Sequence, residues 1–173
     1  MAESKIQNFN HLKIHSQFSI CEGAVKIDEL KDFSKENKIK SIALCDTSNL
    51  CGALEFAEKI SKVGTQPIIG TQINFKYGET FGLLPLYALT EEGYKKIIEL
   101  SSLSYLKNDK LSDPHLDIKE LLKKHNGVCL FSGTINGLFG QLFDKGKFND
   151  IRELYTKLKS IYGDSFYIEI QRH

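Results

Sequence analysis

Two histidines and a lysine, His11, Lys13 and His15, alternate with apolar Leu12 and Ile14, and Ser19, Cys21, Glu22 and Gly23 follow within one turn. Imidazole and carboxylate can ligate a metal or carry a proton, and an ammonium is a fixed positive charge. In an extended segment, side chains two apart share a face, so the spacing predicts a strand with one chemical face and a pocket at its end. An amphipathic edge strand with a solvated polar face gives the same alternation. The rest of the chain decides between these readings.

The elements that must position these groups alternate along the chain. Val25 to Asn37 carries Ile27, Leu30 and Phe33 at helix spacing, and Ser41 to Cys45 is an apolar run closed by Asp46, as in a buried parallel strand. Gly52 to Lys62 has a helical stripe through Leu54, Ala57 and Ile60, with Gly64 placed to stop it, and Pro67 to Ile73 reads as a strand. Leu83 to Leu89 is a further strand, in which Pro85 removes a ladder donor and predicts an edge or a bulge. Thr90 caps a helix over Glu91 to Leu106 that opens with acids, where the helix dipole favours them. Lys107 to His115 is a polar loop, Ile118 to His125 a short helix, and Val128 to Phe131 a strand followed by a turn at Ser132 to Thr134. Helices near Leu138 to Phe143 and Asn149 to Ile161 lead to a strand at Phe166 to Ile170. Such alternation predicts an α/β fold, a barrel more than an open sheet, with the site on the loops after the strands. His15, Asp46 with Thr47, Gln72, Ser132 with Thr134, Gln171 and His173 all stand at carboxyl ends of expected strands. That convergence favours the pocket over the solvated edge.

Composition narrows the function classes. A chain of 173 residues with 41% hydrophobic content can bury one sizeable core, so one domain is expected. Lys+Arg of 23 against Asp+Glu of 22 gives a net charge of +1, without the excess that drives sequence-independent phosphate-backbone binding. Arg152 and Arg172 are the only arginines. The doublets Lys95-Lys96 and Lys123-Lys124 fall in expected helices, where a solvated face explains them, so direct nucleic-acid binding is not expected. Cys21, Cys45, Cys51 and Cys129 have no zinc-ribbon spacing and read as reduced, mostly buried thiols. No leader and no long apolar span is visible, which predicts a cytoplasmic protein with no membrane partner.

Five motifs carry a resemblance. His11 to Ser19, Cys45-Asp46-Thr47-Ser48-Asn49-Leu50-Cys51-Gly52, Pro67-Ile68-Ile69-Gly70, Thr90-Glu91-Glu92-Gly93-Tyr94 and Phe131-Ser132-Gly133, together with the closing Tyr167 to His173, resemble the N-terminal polymerase and histidinol phosphatase (PHP) domain of the bacterial DNA polymerase III α subunit. The motifs stand in the family's order from Phe9 onward. The resemblance implies a distorted (β/α)7 barrel whose last strand lies past residue 173, so residues 1–173 are expected to be a single PHP domain fragment of a much longer polymerase subunit.

Residue by residue, the resemblance also implies a degenerate metal site. Metal-binding relatives place His, Asp, Glu and Cys ligands at the barrel mouth. Here Lys13 and His15 stand for the paired histidines, Glu22 for the acid, Thr47 for the histidine after Asp46, Gln72 for a glutamate, Leu83 for a histidine and Thr134 for a cysteine or histidine. Only His15, Glu22 and His173 retain ligating groups, because a protonated lysine and a leucine offer no lone pair and a glutamine is a poor ligand. No catalytic residue, no metal and no other cofactor is therefore expected. Lys13 is expected either to supply the missing positive charge, facing Glu22 and Asp46, or to snorkel to solvent. His15 and His173 are expected to be hydrogen-bonded parts of the mouth, Asp46 a helix cap or a strand-end hydrogen-bond acceptor, and His11, His115 and His125 surface or capping groups.

Three functions of different class follow. The first is a silent scaffold within a DNA-directed DNA polymerase of DNA replication, supporting the rest of the polymerase chain and docking the proofreading exonuclease subunit. The second is a metal-dependent phosphoesterase or 3′-5′ exonuclease. The third is a DNA-binding module. The lost ligands and neutral charge favour the first.

Overall fold

The computed structural model describes residues 9–108, 112–123 and 125–170. Its order is α1 (Ile27–Glu36), β1 (Ser41–Thr47), α2 (Ala53–Ser61), β2 (Gln66–Tyr77), β3 (Thr80–Ala88), α3 (Glu91–Leu106), β4 (Leu116–Asp117), β5 (Val128–Phe131), α4 (Leu138–Asp144), α5 (Phe148–Tyr162) and β6 (Phe166–Tyr167). The expected α/β architecture is present, with α3 and β5 at the boundaries read from the sequence. Thr90 Oγ1 accepts from Gly93 N at 3.1 Å, satisfying one of the free donors at the α3 N-terminus.

The sheet runs β1-β2-β3-β5-β6, with β4 paired to the far end of β2. β1–β2, β2–β4 and β5–β6 are parallel, but β2–β3 and β3–β5 are antiparallel. Strict strand–helix alternation therefore fails at Tyr77 to Thr80, where β2 turns straight into β3 through Gly78 at φ 58°. A left-handed residue in a tight hairpin is the place where glycine carries no steric penalty. Pro85 does not mark a sheet edge, since β3 is interior. It stands opposite Gln72, and the ladder to β5 begins only at Leu86, so the missing N–H falls where that ladder has ended.

Period-two alternation places the two faces of β1 in separate cores. Ile42 and Leu44 pack outward with Ile27, Leu30, Phe56 and Ile60 of α1 and α2, while Ala43 and Cys45 face inward toward Tyr87 and Cys129. A strand covered on both faces reads as a continuous apolar run, which is why Ser41 to Cys45 was legible. The larger core gathers Ile73, Phe75, Leu84 and Leu86 with α3, α4 and α5.

Other expectations are corrected. Residues 11–15 form no regular strand: Ala43 N donates to His11 O and Cys45 N to Ile14 O, so two residues of β1 face three of this segment. That surplus residue breaks the ladder and rotates the side chains out of a common face. Leu12 joins the inner cluster and Ile14 the outer one. The expected helix over Ile118 to His125 is a single 3₁₀ turn at Ile118–Glu120, capped by the Asp117 carboxylate, which accepts from Lys119 N at 2.8 Å. The last strand is two residues long, because Ser132 N and Ser132 Oγ hold residues 167 and 169 in place of a ladder.

Candidate functional site

Lys13, His15, Glu22, Gln72, Leu83, Thr134, Asn136 and Gly137 line one cavity of about 420 Å³ at the mouth of the curled sheet. Six of these are residues the sequence brought together from five separate segments. His11 is not among them; its ring meets Phe9 and Phe33 edge-on, as the broken ladder requires. His115 Nδ1 lies 2.8 Å from Asp113 O and His125 Nε2 2.6 Å from Glu120 O, so both serve local backbone. Gln171 and His173 lie outside the described residues.

Asp46 is the acceptor around which the mouth is built. It is 1% exposed, and its carboxylate accepts from Ser16 N at 2.6 Å, Ser16 Oγ at 2.8 Å and Ser19 Oγ at 2.7 Å. Its backbone carbonyl accepts from Thr71 Oγ1 at 2.6 Å, binding β1 to β2 a second time. A buried carboxylate persists only when its oxygens are satisfied, and these donors satisfy them. Asp46 stands at the end of β1, and its oxygens face the 16–19 turn.

Above it runs a chain of side-chain hydrogen bonds. Gln72 Nε2 donates to Thr47 Oγ1 at 2.7 Å, and Thr47 Oγ1 donates its proton to Glu22 Oε2. The turn that delivers Glu22 passes through Cys21 at φ 65°, a left-handed conformation uncommon for a residue with a side chain. Gly23 then packs on the backbone it has just left, where a Cβ would stand 2.1 Å from Ser16 O.

Lys13 has neither of its expected partners. Its Nζ lies 3.4 Å from Glu169 Oε1, with the two side chains 21% and 12% exposed, so the ammonium joins the first segment to the residues after β6. Glu169 Oε2 and His15 Nδ1 are buried without a hydrogen-bond partner among the described residues. Tyr87 Oη, donating to Leu12 O at 2.7 Å, anchors the same first segment from β3. Glu169 went unrecognised in the sequence, although an acid inside the apolar run Phe166 to Ile170 is the signal that would have found it. Asn136 carried no such signal.

Because Glu169 Oε2 has no second donor, Lys13→Met should leave a mostly buried carboxylate unpaired and cost about 1–3 kcal/mol. Lys13→Met/Glu169→Leu should recover most of that loss in urea unfolding. An unchanged stability in the single variant would show that the ammonium is not needed there.

The inner floor offers thiols that do not ionise readily. Burial pushes Cys45 up to about 12 and Cys129 up to about 11, and it raises the Tyr87 hydroxyl as well. Cys21 and Cys51 are exposed, not buried as expected of most of the four. Among the described residues no group of three or more His, Cys, Asp or Glu is arranged to hold a metal ion, and no helix is long and apolar enough to cross a membrane.

The geometry defines an α/β domain whose polar mouth is built at the carboxyl end of β1 and, beside it, the middle of β2. Residues 11–173 match the PHP domain model, and the chain belongs to the PHP domain family. It is 36% identical over 166 residues to the DNA polymerase III subunit alpha of Rickettsia felis, covering 95% of this chain and 14% of that protein. It is 34% identical over 181 residues to the subunit of the same name from Caulobacter vibrioides, covering 100% of this chain and 16% of that protein. The chain thus spans about a sixth or less of the curated relatives it matches. Among solved structures, an amidohydrolase from Chromobacterium violaceum aligns at TM-score 0.43 and 14% identity, over 85% of this chain and 54% of that one.

Proposed function

We propose that this domain is a catalytically silent PHP scaffold belonging to a replicative DNA polymerase α subunit. Its role is to support the polymerase polypeptide and to dock the proofreading exonuclease subunit. The observation that carries the reading is the chain Gln72–Thr47–Glu22 together with the Lys13–Glu169 pair. Where a hydrolytic relative needs several anionic or imidazole donors turned toward a cation, these side chains are committed to one another. The donor set does not fit a metal centre. Gln72 presents its N–H₂ to Thr47, Thr47 spends its proton on Glu22, Leu83 has no donor atom, and the Lys13 ammonium repels a cation. Phosphoester hydrolysis on this fold would require bound metal to activate water and clamp the phosphate, so no hydrolytic step is assigned to this chain.

The family assignment and the polymerase-subunit relatives support the first half of the proposal. The expected result is no turnover of a phosphodiester such as bis(p-nitrophenyl) phosphate by the purified chain with Mn²⁺ or Zn²⁺. Metal-stimulated turnover abolished by His15→Ala would reverse the reading in favour of a metal-dependent phosphoesterase.

A further inference from the structure

Glycine follows asparagine twice in the chain, at Asn126-Gly127 and at Asn136-Gly137. Because glycine has no Cβ, its backbone nitrogen has the least hindered approach to the side-chain amide carbon of the asparagine before it. Both asparagines are exposed, and neither side chain has a hydrogen-bond partner among the described residues. The backbone of the two pairs is held differently. At 136–137 both ends of the linking peptide unit are engaged: Asn136 O accepts from Leu83 N at 3.2 Å, and Gly137 N donates to Thr134 O at 2.9 Å. Gly137 is also packed on backbone, where a Cβ would stand 2.6 Å from Gly133 Cα. At 126–127 neither Asn126 O nor Gly127 N has a hydrogen-bond partner among the described residues. Closing a ring between the glycine nitrogen and the side-chain carbon requires the peptide unit to rotate. That rotation breaks two hydrogen bonds at 136–137 and none at 126–127.

We propose that Asn126 is a site of spontaneous deamidation in the folded domain, and that Asn136 is shielded from the same reaction. Gly127 N bonds to Asn126 Cγ, the Cγ–Nδ2 bond breaks, and ammonia leaves with the proton lost from Gly127 N. Water then opens the cyclic imide. Asn126 lines a cavity of about 370 Å³ beside Lys96 and His125, so water reaches it. Opening at Cγ gives an aspartate, whereas opening at the main-chain carbonyl carbon gives an isoaspartate, whose backbone is longer by one carbon. The longer backbone has no room. Gly127 O accepts from Leu89 N at 2.8 Å and stands 1.8 Å from where a Gly93 Cβ would be, and a Gly127 Cβ would stand 1.9 Å from Thr90 Oγ1. The isoaspartate should therefore loosen the capped start of α3, while the aspartate should not.

The test ages the purified chain at neutral pH, folded and in urea, and follows both asparagines by peptide mass spectrometry for exchange of NH₂ by OH. With each rate taken relative to the same site in urea, Asn126 should react about tenfold or more faster than Asn136 in the folded chain, the handicap that two hydrogen bonds impose. Equal relative rates, a faster Asn136, or an Asn126 that reacts in urea and not in the folded chain would overturn the proposal. Amide exchange at Leu89 and Gly93 should quicken in the aged isoaspartyl fraction. It should stay as in the fresh chain in Asn126→Gln aged alike and in fresh Asn126→Asp, which carries the charge without the longer backbone. Unchanged exchange in the isoaspartyl fraction would overturn the predicted loosening.

Discussion

Replacing Asp46 by alanine should destabilise the domain by about 3–5 kcal/mol, because it leaves three interior donors without an acceptor at a cost of about 1–3 kcal/mol each. Three donors end on that carboxylate, and the two residues that supply them, Ser16 and Ser19, are 0% and 1% exposed, so water cannot take its place. The effect should spread along the mouth. Ser19 Oγ also accepts from Thr47 N at 3.0 Å, and Thr47 holds Glu22, so releasing the 16–19 turn frees the rim. Asp46→Asn should cost less, since one oxygen remains to accept. Ser19→Ala should cost about 1 kcal/mol, one neutral hydrogen bond's worth. Urea unfolding of the three variants checks the order. A loss below about 1 kcal/mol for Asp46→Ala would mean that the turn is held by something other than this carboxylate.

The second large effect is expected at Gly23. An alanine Cβ there would stand 2.1 Å from Ser16 O and 2.6 Å from His15 O, and both obstacles are backbone. Neither can swing aside like a side-chain tip. Ser16 is fixed by Asp46, and Gln17 N donates to Val25 O at 2.9 Å on the far side of the loop. Gly23→Ala should therefore cost about 3 kcal/mol or more, beyond the usual overpacking range because no rotamer change relieves it. Gly64→Ala is the comparison. Its Cβ meets nothing within 4 Å and only its φ of 78° opposes the change, so its loss should be the smaller. Equal losses at the two glycines would show that close packing of the 15–23 loop is not what Gly23 provides.

How far the sequence disclosed this arrangement depended on whether the deciding signal was local. Ser41 to Cys45 and Val128 to Phe131 were legible because a strand buried on both faces leaves an unbroken apolar run. The α3 start was legible because Thr90 and two acids announce it. The β2–β3 hairpin was not, since Pro67 to Ile73 and Leu83 to Leu89 each look like a complete strand and the pairing between them is set by register across Gly78. The mouth followed the same rule. Lys13, His15, Glu22, Gln72, Leu83 and Thr134 could be collected because the resemblance gives each a counterpart among the ligand positions of metal-binding relatives, and one cavity does contain them. The partner of Lys13 could not be read, because Glu169 lies far along the chain and reaches Lys13 only when the sheet curls. The alternation of residues 11–15 pointed to a common face that one surplus residue against β1 removes.

The most direct test of a silent mouth is calorimetric titration of the purified 173-residue chain with Mn²⁺ and with Zn²⁺, repeated on His15→Ala. The account predicts no saturable heat that distinguishes the two proteins. Stoichiometric, saturable binding by the wild-type chain that disappears in His15→Ala would contradict it.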